Sequence, residues 1–300
     1  METWVPITIA AAFLQNARSS LQKHLKGSLS TSAAAYVRFF YALPFVLLYL
    51  AILRFGAEYD FPEFNRRFLF FVVLGSTAQI AGTAFLIHLF SFRNFVVATA
   101  YSKTETIQAA IAGMLILSDS ITAWALLAIV VSLAGVMLMA IARRQLAARE
   151  LLASLFGRTA GIGLASGAGF GLAAVSYRAG SLSLGGDYVA SAACTLAAAL
   201  LFQTVTMGLY LRLREPGQLT LVFRSWRISG AVGLAGMSAS ACWFTAMTIQ
   251  NAAHVKALGQ VELLFAFMVS TAFFRERVTG RELLGVLLVV TGILILLLRG

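Results

Sequence analysis

The chain is short of charged residues. Only 12% of its 300 residues are Asp, Glu, Lys or Arg, and 60% are hydrophobic. Soluble globular domains carry about 25% charged residues, so this composition excludes an ordinary soluble protein. The hydrophobic residues form runs of about 20 positions, the length that a helix needs to cross a bilayer core. Strands of an outer-membrane barrel would alternate over about ten residues, and we therefore expect an all-α integral membrane protein.

Cysteine is scarce as well. Cys194 and Cys242 lie inside apolar runs, where we expect small core residues, and no disulfide framework or metal motif follows from them. The sequence shows no paired carboxylates on a shared helix face, no His/Cys cluster with metal spacing and no phosphate loop. We therefore expect neither an enzyme nor a cofactor or metal. The first apolar run leads into further spans, which favours a first transmembrane helix over a cleavable signal peptide.

The net charge of +11 does not indicate nucleic acid. The arginines lie in short loops between apolar runs, where positive charge sets the orientation of membrane helices. Of the loop cations, only Arg54, Arg66, Arg67 and Arg299 would lie on the same side as the termini. The positive-inside rule therefore favours both termini outside the cytoplasm.

The apolar runs predict ten spans. Their bounds are 4–23, 33–53, 68–90, 98–117, 121–141, 160–182, 188–211, 228–250, 252–274 and 283–298. Pro44 predicts a kink in the second span. The glycines of the sixth span predict central packing, because small residues let helix backbones approach closely in lipid. A basic linker, 143–159, separates a first half, 1–142, from a second half, 160–300.

The two halves repeat each other at an offset of 157 residues in one ungapped register. The matching pairs include Glu105/Glu262, Thr122/Thr279 and Gly135/Gly292. Each half has an odd number of spans, so the second half enters the membrane from the opposite side. The sequence therefore predicts ten transmembrane helices arranged as two inverted five-helix repeats, an architecture in which transporters place a site near the midplane.

Motifs near the end of the chain resemble a known family. The turn Arg275–Thr279 (RERVT) and the helix opening Leu283–Gly285 (LLG) are similar to the end of each half in EamA-like members of the drug/metabolite transporter superfamily. The segment Val261–Ala266 (VELLFA) resembles that family's Glu-Pro-Val-Phe-Ala segment without its proline, and Arg38 resembles the arginine that opens the second helix of the repeat. The resemblance implies a ten-helix transporter. Its members handle amino acids, drugs, nucleotide sugars and other metabolites.

Two glutamates within apolar spans are the first candidate site residues. Glu105 and Glu262 lie about ten residues into spans four and nine, hence about 15 Å deep. A carboxylate at a bilayer centre costs roughly 2.5 kcal/mol or more, which favours a proton-titratable or cation-binding group over a purely structural one. Lys103 either pairs with a carboxylate on another helix or offers a cation to a substrate. Lys256 either lines the same vestibule or extends to the interface.

Further candidates are polar or aromatic side chains on the surrounding helices. They are Tyr101, Trp243, Arg18, Asn16, Arg38 and His254. Tyr101 and Trp243 would contribute to an aromatic wall around a cationic or amphipathic substrate, or pack in the core. Arg18 and Asn16 would face a watery cavity or the interface. His254 would lie beside Lys256 at the vestibule.

The sequence thus predicts a secondary transporter of the inner (plasma) membrane that exports small organic metabolites, amino acids first, by alternating access. Proton coupling is a hypothesis. The alternative is a lipid or lipid-linked sugar flippase, which arginines such as Arg18 and Arg38 would favour, and a non-transporting membrane scaffold is a third reading. The expected partners are a small-molecule substrate, the lipid bilayer and, if coupling holds, protons. We expect a monomer or weak homodimer that does not bind nucleic acid.

Overall fold

The fold is helical in every regular element that the structure describes. The computed structural model describes residues 2–25, 28–89, 101–142, 157–272 and 279–300. The helices are α1 (Trp4–Leu25), α2 (Thr31–Phe40), α3 (Leu43–Ala51), α4 (Arg66–Leu89), α5 (Glu105–Leu117), α6 (Ala123–Ala142), α7 (Arg158–Leu184), α8 (Tyr188–Arg214), α9 (Gln218–Arg224), α10 (Trp226–Ile249), α11 (Ala252–Gly259), α12 (Val261–Ala272) and α13 (Gly280–Arg299). A π-helical turn, Ile52–Gly56, follows α3. Helices suit a bilayer because they satisfy their backbone polar groups internally.

Seven helical segments of the described chain are long and apolar enough to cross a membrane. They are Thr31–Gly56, Arg66–Leu89, Ala123–Ala140, Arg158–Leu184, Tyr188–Arg214, Trp226–Ile249 and Gly280–Arg299. The helix α5 is apolar but shorter. The expectation of a multi-pass helical membrane protein is confirmed. The number of ten spans stays a prediction.

The second predicted span consists of two consecutive helices. The helix α2 ends at Phe40 and α3 begins at Leu43, with Pro44 in its first turn. Proline is tolerated there because the first N–H groups of a helix have no intrahelical partner to lose. The break between the two helices lies at Tyr41–Ala42, just before Pro44, and the kink at Pro44 stays a prediction. Arg38, however, lies in the last turn of α2 and not at the opening of the span.

The described chain forms two compact units. The first unit contains residues 1–77 and 176–250, and the second contains residues 78–175 and 251–300. Both α4 and α7 contribute residues to each unit. Each unit therefore draws on both halves of the sequence, which is a different division from the predicted repeats. The repeat boundaries, 1–142 and 160–300, stay a prediction.

In the first unit, α10 packs along α1, and α8 packs against α2, α3 and α10. Glycines permit the closest of these contacts. A Cβ atom at Gly233 would lie 2.4 Å from the carbonyl oxygen of Tyr41, and one at Gly208 would lie 3.0 Å from the hydroxyl of Tyr36. Small residues at such positions let helices approach closely where lipid provides no hydrophobic drive for association.

In the second unit, α6 and α13 pack along their lengths. A Cβ atom at Gly135 would lie 2.6 Å from the carbonyl oxygen of Gly285, and one at Gly292 would lie 2.7 Å from that of Ala128. Gly135 and Gly292 are 157 residues apart, and so are Ala128 and Gly285. Each contact is therefore the repeat counterpart of the other, as in a self-complementary interface.

The paired threonines of the repeat begin these same two helices. Thr122 Oγ1 accepts a hydrogen bond from the Ala125 N–H at 3.0 Å, and Thr279 Oγ1 accepts one from the Glu282 N–H at 3.3 Å. The Glu282 carboxylate in turn accepts from the Thr279 N–H at 2.9 Å, which completes a capping box. The last residue of the RERVT motif is thus an N-cap.

Some predicted features lie outside the described residues. They are the motif positions 275–278, the link 91–94, the start of span four at 98–100 and most of the linker 143–159.

Candidate functional site

Spans four and nine, which the sequence predicts as continuous helices over 98–117 and 252–274, are each interrupted. In the first, a turn at Lys103–Thr104 precedes α5, which begins at Glu105. In the second, a turn at Gln260 separates α11 from α12. The prediction of unbroken helices is therefore wrong at both places. The two interruptions lie within one residue of each other in the register of the repeat.

The two turns have the same local geometry. Thr104 has φ −65° and ψ −5°, and Gln260 has φ −62° and ψ −10°. The Thr104 N–H donates to the Tyr101 carbonyl at 3.1 Å, and the Gln260 N–H donates to the Ala257 carbonyl at 3.2 Å. Such bonds to the third residue back are typical of a 3-10 turn that closes one helix. The helix that follows begins with N–H groups that lack intrahelical partners.

The interruptions place both glutamates in the first turn of a helix. Glu105 is the first residue of α5, and Glu262 is the second residue of α12. The positive end of a helix dipole stabilises a carboxylate, typically by about 0.3–1 kcal/mol at an exposed site and more when partly buried. The expectation that these carboxylates lie about ten residues into a helix is therefore wrong. A helix N-terminus accounts for part of their tolerance in an apolar span.

Each glutamate is paired with a lysine from the other half of the sequence. Lys103 Nζ donates a hydrogen bond to the Glu262 carboxylate, and Lys256 Nζ lies 3.7 Å from Glu105 Oε1. The side chains are mostly buried, with exposures of 16% for Glu262 and 32% for Lys103. The sequence left two roles open for Lys103. The structure shows the first of them, an ion pair with a carboxylate on another helix. The two pairs together neutralise the charges of all four side chains.

A third contact joins the turn at Gln260 to the first turn of α5. Gln260 is buried, and its Nε2 donates to Thr106 Oγ1 at 3.3 Å. Gln260 occupies the repeat position of Lys103, so one turn has an amide where the other has an ammonium. Gln260 could be picked out from the sequence by aligning the two repeats, because it lies opposite Lys103. Nothing in the sequence singled out Thr106.

The glycine-rich face of α7 lies directly against the first turn of α5. A Cβ atom at Gly167 would lie 3.0 Å from the Ser102 carbonyl oxygen, and one at Gly171 would lie 2.9 Å from the Glu105 carbonyl oxygen. The close packing predicted for the sixth span is confirmed at these positions. Small residues of α7 thus hold the interrupted helix by backbone contact.

Two other predicted site residues of the second unit are buried. His254 lies in α11 and is 8% exposed. Tyr101 is 7% exposed and packs with Ala160 and Met137. A turn separates Tyr101 from Glu105, so the two side chains do not lie on one face of a continuous helix. The aromatic wall that would include Tyr101 and Trp243 stays a prediction.

In the first unit, Arg18 and Arg38 lie beside the same glycine of α10. A Cβ atom at Gly236 would lie 3.2 Å from Arg18 Cδ and 3.8 Å from the Arg38 carbonyl oxygen. The Arg38 guanidinium lies 4.5 Å from the centroid of the Phe39 ring. Its Nε and Nη2 atoms are buried and make no hydrogen bond to any residue in the described ranges.

Asn16 and Trp243 have partners within the first unit. Asn16 Nδ2 donates to the Ala12 carbonyl of its own helix at 3.4 Å. Trp243 Nε1 donates to Gln15 Oε1 at 3.1 Å and so joins α10 to α1. Both side chains are half-buried. The polar side chains at the end of span one are thus partly satisfied by one bond within α1 and one bond to α10.

Arg178 of α7 has a structural role. Its Nη1 donates to the carbonyl oxygens of Met247 and Gln250, each at 2.6 Å, at the end of α10. The last carbonyls of a helix lack intrahelical donors and carry negative partial charge, so a cation is favourable there.

A buried polar network in the first unit was not predicted from the sequence. Gln203 Nε2 donates to the Tyr177 hydroxyl at 2.9 Å, and that hydroxyl donates to Ser76 Oγ at 3.4 Å. The Tyr177 ring also stacks near Phe244, with centroids 4.6 Å apart. The available signal was a glutamine and a tyrosine inside apolar spans, where polar side chains need partners.

Comparisons with known proteins agree with this fold. A protein crystal structure is similar over 99% of this chain and 98% of its own, with a TM-score of 0.74 and 14% identity. At that identity the likeness shows the fold alone. A comparison with curated protein sequences finds no match.

Residues 158–298 match the model of the EamA-like transporter family. Members of that family are membrane transporters of small solutes. The match covers the second half of the chain, where the LLG and VELLFA motifs lie. It confirms the resemblance of this chain to the drug/metabolite transporter superfamily through its EamA-like members.

Proposed function

We propose that the protein is a ten-helix secondary transporter of the inner (plasma) membrane, which exports small organic metabolites by alternating access. The observation that carries this proposal is the pair of crossed ion pairs at two interrupted spans, Lys103–Glu262 and Lys256–Glu105. Transporters commonly place substrate and coupling-ion sites where transmembrane helices are discontinuous, near the interface of two repeats.

Three features of the second unit support two inverted five-helix repeats. The interruptions of spans four and nine fall at nearly equivalent positions, one residue before Glu105 and two before Glu262. The paired residues Thr122 and Thr279 cap the last helix of each half. The contacts between α6 and α13 are reciprocal under the 157-residue offset. A chance duplication of composition would not produce the same local roles at matched positions.

The ion pairs suggest how a proton would be coupled to transport. Protonating Glu262 or Glu105 would remove the countercharge of one lysine and so weaken one link between spans four and nine. A group whose charge state changes the stability of such a link biases an equilibrium between two conformations. Amino acids remain the first substrate class, because a site with both signs of charge complements a zwitterion.

Transport in proteoliposomes tests the proposal. Amino acids, organic cations and neutral solutes would be followed with and without an imposed pH gradient, for the wild type and for the double variant Glu105→Gln, Glu262→Gln. We expect transport of at least one solute class, stimulated by the gradient in the wild type and not in the double variant. Glu63→Gln, in an exposed loop, is the matched control. Gradient-driven transport that survives the double substitution would overturn the role of both carboxylates.

A second candidate is a flippase for lipids or lipid-linked sugars. The buried and unbonded Nε and Nη2 atoms of Arg38, with Arg18 nearby, favour an anionic headgroup. Transfer of fluorescent phospholipids between leaflets, measured in the same proteoliposomes, distinguishes this function from solute transport.

A further inference from the structure

Arg38 lies in a segment that can cross the membrane, Thr31–Gly56, and its side chain is a guanidinium with hydrogen-bond donors and no acceptor. An arginine in such a segment is expensive unless it has partners. The Nε and Nη2 atoms form one edge of the planar guanidinium, and this edge is the fork that holds a carboxylate or phosphate with two parallel hydrogen bonds. In Arg38 both of these atoms are buried and have no hydrogen-bond partner within the described chain.

The charges around Arg38 favour an anion. Arg18 adds a second guanidinium whose charge is felt at Arg38. The acidic residues in the described part of the first unit all lie before, between or at the ends of the membrane-length helices. They are Glu2, Glu58, Asp60, Glu63, Asp187 and Glu215. Arg18 and Arg38, two residues with guanidinium groups, lie beside the same glycine of α10.

Arg178, in α7 of the same unit, shows how helix carbonyls can hold a guanidinium. Arg178 donates to the carbonyls that end α10. Arg38 is also near a helix end, in the last turn of α2, but its donors do not reach the carbonyls there. The position of Arg38 is therefore not explained by helix capping.

We infer that Arg38, with Arg18 beside it, is the anion-binding subsite of this protein, and that it holds a carboxylate or phosphate group of a soluble organic ligand. The statement that this ligand is transported rests on the proposed function, whereas the binding itself does not. Gln15 lies one helical turn before Arg18 on α1 and accepts a hydrogen bond from Trp243, so an indole lies near the subsite.

Equilibrium binding to the purified full-length protein tests the inference. The probes are acetate and inorganic phosphate, with acetamide as the uncharged match of acetate, in nanodiscs of phosphatidylcholine. Indole fluorescence and the unfolding temperature report binding. We expect saturable binding of both anions and none of acetamide. Arg38→Gln should weaken anion binding by about tenfold or more, because a charge-assisted fork is lost.

Matched variants separate a subsite from a loss of folding. Arg38→Lys keeps the charge but not the fork and should bind with intermediate affinity. Arg54→Gln removes an equal charge from an exposed ion pair and should leave the affinity unchanged. Every variant is first shown to unfold cooperatively. The inference is overturned if the wild type does not bind either anion, or if folded Arg38→Gln and Arg38→Lys both bind as the wild type does.

Two further experiments test whether the anion is a lipid headgroup and whether anion binding and solute transport occur together. Nanodiscs containing phosphatidylglycerol should leave phosphate affinity within about threefold, whereas competition that depends on Arg38 would assign the subsite to a lipid headgroup and overturn the soluble ligand. Anion binding in a protein that transports no solute would contradict the proposed function and leave the subsite standing. Solute transport without anion binding would contradict the subsite and leave the proposed function standing.

Discussion

The two compact units handle buried charge in opposite ways. In the second unit, Lys103 and Lys256 are each matched by a glutamate, and both acids lie at helix N-termini. In the first unit, Arg38 and Arg18 lie beside the same glycine, and the Nε and Nη2 atoms of Arg38 have no hydrogen-bond partner within the described chain. Paired charges can form and break links within the protein. A guanidinium edge without a partner in the described chain can receive a negative charge from a ligand.

The largest effect on stability should come from breaking one ion pair in the second unit. Glu262→Gln leaves the Lys103 ammonium without its countercharge, and we expect a loss of about 2–3 kcal/mol, less than for a fully buried pair because Lys103 is 32% exposed. Thermal and denaturant unfolding of the purified protein measure this loss. Adding Lys103→Gln should restore much of the stability. A double variant whose loss equals the sum of the two single losses would show that the two side chains are not coupled.

In the first unit, the largest effect should come from Arg178. Arg178→Gln removes charge-assisted hydrogen bonds to the Met247 and Gln250 carbonyls, and we expect a loss of about 2 kcal/mol. The same unfolding measurements apply. An unchanged stability would mean that the end of α10 is satisfied in another way, and Arg178 would then join Arg38 as a candidate for ligand binding.

A smaller effect is expected at the hydrogen bond between α1 and α10. Gln15→Ala leaves the Trp243 indole N–H without its acceptor, at a cost of about 1 kcal/mol. Trp243→Phe removes the donor as well, so the double variant should be no less stable than Trp243→Phe alone. An additive loss in the double variant would show that the bond does not contribute.

The smallest effect is expected at Arg38, and it sharpens the comparison most. Arg38→Gln breaks no hydrogen bond of Nε or Nη2 to the described chain and relieves repulsion from Arg18, so stability should stay within about 0.5 kcal/mol or rise. Residues that serve binding often cost stability in the absence of ligand. A loss as large as that of Arg178→Gln would show that Arg38 is structural and would remove the contrast between the units.

Much of the second unit could be predicted from the repeat. The offset of 157 residues paired Thr122 with Thr279 and Gly135 with Gly292, and the structure gives each pair one shared role. Such roles are local, because an N-cap depends on a few neighbouring residues and a glycine contact depends on the absence of a side chain. The interruptions at Thr104 and Gln260 were not predicted. The turn at Lys103–Thr104 contains no glycine or proline, so its sequence reads as continuous helix, whereas Gly259 directly before Gln260 was a local signal for the second turn.

The partners of the charged residues could not be predicted at all. Lys103 and Glu262 are far apart in the sequence, and charge alone allows either lysine to meet either glutamate. Arg178 and Arg38 look alike in the sequence, since each is a single arginine in an apolar span. Arg178 caps a helix because α7 packs against the end of α10 and places its guanidinium at the last carbonyls. Arg38 has two donors, Nε and Nη2, that reach no such carbonyl and have no partner in the described chain.

The sequence by itself determined the membrane class, the helical fold, the resemblance to EamA-like transporters and the two glutamates, because hydropathy and repeated motifs are properties of local segments. The tertiary structure alone decided that both glutamates begin a helix, that the ion pairs cross between the halves, and that Arg38 lies beside Arg18. These are contacts between distant segments, and their energies depend on which groups packing brings within a few ångströms.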